Sequence, residues 1–186
     1  MRVHYFAAAV LTALLLQSAF PIAAKESNAE RPSGRVAHMV FVKSGYRNNH
    51  FGFEVPMLAG VKAYRDAPPN PNHGVLYILG KGRTIAVSAS YDAAEYGSTK
   101  VQLDRWLEGE PVERVERAPA TLAGKPAEQA TLHKTTTVTK VVAQRRDERG
   151  GILYELVLTT TDSHLARDGA KFEGIVASFR ALKLPE

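Results

Sequence analysis

Short apolar runs rich in β-branched and aromatic residues recur through the first half of the chain: Val36–Val42, Phe51–Val55, Val75–Leu79 and Thr84–Ala89. Each is bounded by Gly, Pro, Asn or a Lys-Gly pair, which predicts strands, and their close succession predicts a meander. The "GKGR" stretch at 80–83 reads as the hairpin turn between the last two runs. The period then changes. Tyr96, Thr99, Leu103, Trp106 and Leu107 recur at helical spacing, with Ser98 placed to cap the tighter part and Gly109 and Pro111 placed to end it. Trp106 reads as a core anchor of that helix.

Strand character returns from Val112 onward. "ATLAGKPAEQATL" turns at Gly124-Lys125, Thr136–Arg145 is β-branched and alternating, and "DERGG" at 147–151 has the length and composition of a hairpin loop. In the following strand Ile152, Tyr154, Leu156 and Leu158 take one face, and Glu155 and Thr159 the other. Near the carboxyl terminus Phe172, Ile175, Val176 and Phe179 fall at i, i+3, i+4 and i+7, one apolar stripe on a helix that Asp168 would cap. Such a helix must lie against an apolar face. The pattern as a whole predicts a single α+β domain over 35–186, an antiparallel sheet covered by helices.

The amino terminus reads differently. Arg2 is the one charge before an apolar stretch, Ala7–Leu16, and small residues follow in "PIAAKES". This is the layout of a signal peptide, expected to span 1–24 with cleavage after Ala24, followed by a flexible leader, "KESNAERPSG", at 25–34. The apolar core is too short to cross a bilayer, and no later segment is long and apolar enough. An exported protein, periplasmic or secreted, is the expectation. Cysteine is absent, which removes disulfides, thiolate metal sites, a cysteine nucleophile and a lipoprotein anchor from consideration. The formal charge is +5, and between Glu30 and Glu54 Arg31, Arg35, Lys43 and Arg47 come with no acid among them. No aromatic-interleaved basic strand or reading helix accompanies them, so nucleic acid is not expected as a partner.

The carboxyl-terminal half carries a resemblance. "LAGKPA", then "GILYELVLTTTD", then "FEGIVASFRAL" resembles the closing part of the Mog1/PsbP/DcrB-like fold, over about residues 120 to 182. The resemblance implies an antiparallel sheet with covering helices, and a last helix carrying Phe172, Ile175, Val176, Ser178 and Phe179. Members of that fold are binding or assembly modules: accessory proteins of photosynthetic complexes, nuclear-transport cofactors, envelope proteins and chaperones of secreted toxins. No catalytic motif carries over from them. The amino-terminal half resembles exported bacterial proteins with no assigned activity.

Local chemistry agrees with that emphasis. His38, His50, His73, His133 and His164 show no pairing at ligand spacing, and no nucleophile elbow, phosphate loop or cofactor motif occurs. Glu110, Glu113 and Glu116, interleaved with Arg114 and Arg117, read as a solvated edge. The distinctive stretch is "APPNPNHGVLYILG" at 67–80, where Pro68, Pro69 and Pro71 stiffen a loop ahead of His73. His73 is either an internal hydrogen-bond partner or part of a contact surface with Arg83, Tyr91 and Asp92. The expected role is a non-catalytic protein-binding accessory or immunity-like module of the envelope. The alternatives are an enzyme whose site is assembled from His50, His73 and Asp92, and a carrier of a small molecule or lipid in the cleft between sheet and helix.

Overall fold

The computed structural model describes residues 39–67, 73–91, 98–107, 111–147 and 151–184. These belong to one domain. Its strands are β1 (Met39–Val42), β2 (Tyr46–Asn48), β3 (Phe53–Val55), β4 (Lys62–Asp66), β5 (Gly74–Gly80) and β6 (Arg83–Tyr91), then β7 (Arg114–Leu122), β8 (Lys125–His133), β9 (Val138–Arg146), β10 (Ile152–Thr160) and β11 (Arg180–Ala181). The helices are α1 (Thr99–Leu107) and α2 (Leu165–Ser178), the latter entered through a 3-10 turn at Asp162–His164.

Eight strands form one antiparallel sheet in the order β1-β4-β5-β6-β10-β9-β8-β7, and β11-β3-β2 form a second. The large sheet is two antiparallel runs joined where β6 pairs β10, Tyr91 opposite Ile152 and Thr84 opposite Thr159. The period-2 pattern of β10 has its reason here. Ile152, Tyr154, Leu156 and Leu158 are fully buried against α2 and the small sheet, in a core with Tyr77, Ile85, Val87, Phe172, Ile175 and Phe179. On the opposite face Leu103 of α1 covers Ala130, Leu132, Val141 and Ala143. No described helix is long and apolar enough to cross a membrane.

Several expectations change in detail. The first run is a strand only from Met39 among the described residues, and the meander is interrupted: β1 pairs β4, while β2 and β3 leave to build the small sheet. Neither β2 nor β4 stands out by apolar pattern. The turn between β7 and β8 is Ala123-Gly124, not Gly124-Lys125, with φ of +50° and +74° at its two residues. Positive φ at both central positions is the geometry that matches strand twist in a two-residue hairpin. The "GKGR" turn is as expected, with Lys81-Gly82 joining β5 to β6. Ser98 does cap α1, its Oγ accepting from the Val101 amide at 3.3 Å; Tyr96 and the side chain of Trp106 lie outside the described set. Asp168 is not a cap. α2 begins at Leu165, and Asp168 lies buried in its first turn. The helix also stops before Phe179, whose φ of −64° and ψ of 131° turn the chain out into β11.

Candidate functional site

Of the sequence-derived contact residues, the fold brings His73 and Tyr91 together and adds two that sequence reasoning did not place beside Tyr91, His50 and Phe51. The Phe51 ring is buried and central: His50 lies 4.6 Å away edge-on, Tyr91 5.2 Å away tilted, and His73 5.5 Å away in a stacked arrangement. His50 and Tyr91 also meet at 5.5 Å. His50, His73 and Tyr91 are all exposed, so the group forms a rim of three accessible rings around one buried ring.

Each ring is held by its backbone. At the end of β5, His73 extends the ladder, its carbonyl accepting from the Ala89 amide at 2.9 Å. Its Nδ1 lies 3.1 Å from the Ala89 carbonyl. A carbonyl only accepts, so Nδ1 carries the proton and Nε2 is left for any other contact. The ring is thus an internal hydrogen-bond partner and an exposed surface at once. Gly74 follows because a Cβ there would fall 1.9 Å from the Val87 carbonyl oxygen, which only glycine allows.

Phe51 sits in a turn built by Asn48. The buried Asn48 amide accepts from the Phe51 N–H at 3.0 Å through Oδ1 and donates to the Tyr46 hydroxyl at 3.0 Å through Nδ2. Gly52 takes φ of +66°, and a Cβ there would meet Leu184 Cδ2 at 2.6 Å. From below, the Tyr154 hydroxyl donates to the Phe51 carbonyl at 2.7 Å, and the Leu182 amide donates to the Gly52 carbonyl at 2.7 Å. Arg146 ties this web together by donating to the Leu182 carbonyl at 2.8 Å. The rim therefore stands on strands β5 and β6, the β2–β3 turn and the chain after β11.

Arg83 is elsewhere. It begins β6, eight residues before Tyr91, which at ~3.4 Å per residue puts it about 27 Å away along the strand. There it donates to Asp168 Oδ2 at 2.6 Å and to the Leu79 carbonyl at 3.0 Å. Thr160 donates to the same carboxylate oxygen at 2.7 Å. Burial opposes the Asp168 charge, but the hydrogen bonds from Thr160 and Arg83, with the Arg83 charge and Arg167 behind them, hold its carboxyl below the usual carboxylate range. This pair joins α2 to the β5–β6 hairpin and has no part in the rim. Asp92 lies outside the described residues, and so does most of the proline-rich loop.

Of the across-strand set His50, His73 and Asp92, the two imidazoles lie against the Phe51 ring and Asp92 is outside the described residues. Among the described residues no group of three or more His, Asp or Glu is placed to hold a metal ion. The early basic stretch is also less uniform than its sequence: Arg47 pairs with Glu54 at 3.4 Å, and Arg180 approaches the same carboxylate at 3.6 Å.

With this geometry in hand, the backbone can be set against solved structures. PsbP of the cyanobacterium Synechocystis sp. PCC 6803 (CyanoP) superposes with a TM-score of 0.50 at 14% identity, covering 80% of this chain and 96% of that one. LpqN of Mycobacterium tuberculosis, described as involved in cell envelope biogenesis, superposes with a TM-score of 0.54 at 15% identity, covering 80% and 94%. The chain has the Mog1/PsbP-like fold. No protein-family profile matches the sequence, and no curated protein matches it. At these identities the likeness speaks for backbone architecture alone.

Proposed function

We propose that this chain is an exported, non-catalytic accessory of the cell envelope that recognises a protein partner through the rim of His50, His73 and Tyr91 around Phe51. The observation that carries this reading is the exposure of three rings on a backbone already fixed by hydrogen bonds to Ala89, Asn48, Tyr154 and Leu182. A pre-ordered surface loses little conformational entropy on binding, and tyrosine is among the side chains that most often dominate protein interfaces. The signal-peptide pattern of residues 1–24 supports export, and the description of LpqN as involved in cell envelope biogenesis is compatible with an envelope role.

The test is capture of partners from the envelope fraction of the native host, followed by affinity measurement on His73→Ala and Tyr91→Ala. Each variant is expected to weaken the captured complex about tenfold or more, the usual size for a central interface residue, with folding unchanged. Unaltered affinity in both would remove the rim from the interface. Metal analysis and native mass spectrometry of the same preparation discriminate the enzyme and carrier readings.

A further inference from the structure

Among the described residues the large sheet ends in β1 on one side and β7 on the other, and these two edges are built differently. β7 is guarded: Arg114, Glu116, Arg117 and Pro119 are all exposed along it, the devices by which sheets discourage pairing at an open edge. β1, reading Met-Val-Phe-Val, has neither charge nor proline, and Val40 and Phe41 are exposed at 38% and 47%. Phe41 also ends a cross-strand row. It lies opposite Tyr64, with the rings 5.7 Å apart, and the registers continue through Leu76 and Ala86 to Val157.

We propose that β1 pairs antiparallel with β1 of a second copy, centred on Phe41, so that two eight-stranded sheets join into one. Side chains directly opposite in an antiparallel pair share a face, so Phe41 meets Phe41 of the second copy and the two apolar rows become continuous. The charges select this register. It sets Lys43 of the second copy opposite Met39, and Met39 lies beside Asp66 on β4. Lysine and aspartate then face each other across one methionine, two strand spacings or about 10 Å between backbones, a span their side chains bridge. The twofold axis makes this contact twice. The two Lys43 residues fall at opposite ends of the strand pair, and no like charges are opposed.

Sedimentation velocity of the full chain over a dilution series tests the pairing. A concentration-dependent dimer is expected. Phe41→Lys should raise its dissociation constant at least about tenfold. Asp66→Lys alone should weaken it several-fold, and Lys43→Asp combined with Asp66→Lys should restore it, with circular dichroism confirming the fold of each. A monomer at every concentration, or a dimer indifferent to both sites, overturns the proposal; loss with Phe41→Lys without rescue by the charge exchange overturns the Phe41-centred register. The wild-type dilution series separates monomer from dimer without any variant.

Discussion

Replacing Asp168 by asparagine keeps the volume of the side chain and removes its charge. In the native protein one carboxylate oxygen accepts from Arg83 at 2.6 Å and Thr160 at 2.7 Å, and the side chain has no solvent exposure. Arg83 is itself only 12% exposed, so its guanidinium keeps a buried charge with no counterion. Removing one partner of a buried pair costs about 3–5 kcal/mol. The Leu79 carbonyl still accepts from Arg83 at 3.0 Å, which places the loss near the low end, about 3 kcal/mol. For a domain of this size that is a fall in Tm of roughly 6–12 °C. Urea unfolding followed by fluorescence at neutral pH measures it directly. Acid gives a second reading. A carboxylate whose folded pKa is depressed contributes fully above its unfolded value, near 4, and the contribution is lost as pH falls through the folded value. The wild-type advantage should therefore be flat from about pH 7 to 5 and shrink below about pH 4. A difference under about 1 kcal/mol at neutral pH, or one that grows in acid, would refute the reasoning.

Ala123 holds φ of +50° in a turn that favours asparagine or glycine. Ala123→Asn should stabilise the fold by about 0.5–1 kcal/mol, seen as a rise in Tm of roughly 1–4 °C; a lower Tm would mean that the turn carries no strain. Tyr154→Phe removes the 2.7 Å donor to the Phe51 carbonyl, at an expected cost of about 1–3 kcal/mol for a buried polar group left unpaired. It should also loosen the rim without touching its exposed rings. Full stability together with unchanged partner affinity would show that this hydroxyl does not hold the turn.

The parts of the fold legible in the sequence are those whose information is local. β10 alternates with period 2 after a short polar loop, and α2 buries Phe172 and Ile175 of the expected stripe, so pattern and structure coincide there; β9, buried on both faces from Val141 to Gln144, does not alternate, and Phe179 falls beyond the helix. β2 and β3 are three residues each and exist because β11, more than 120 residues later, completes their sheet. Nothing in "YRN" announces such a partner. Asp168 satisfied the pattern of a cap, but a cap pattern does not tell which way a side chain faces, and its actual partners Arg83 and Thr160 come from two other strands. At the rim, the prolines drew attention to His73, and Tyr91 followed from the hairpin. The place of His50 and Phe51 depended on Asn48, Gly52 and Tyr154 converging on one turn, a signal spread over 100 residues of chain.

The seam between β6 and β10 has a consequence for the order in which the molecule can be made. A chain emerging from its amino terminus completes β1, β4, β5 and β6 before β10 exists, and roughly sixty residues must be added before Ile152 can reach Tyr91. Until then β6 presents one open edge in the middle of the future sheet: Ile85 and Val87 are paired with Tyr77 and Val75 of β5 on one side, and lack Leu158 and Leu156 of β10 on the other. Closing this register brings the two halves under α2 in a single late, non-local event, the kind of topology that folds slowly. That interval leaves the open edge of β6 as the place where incomplete molecules can pair with one another before the native register closes.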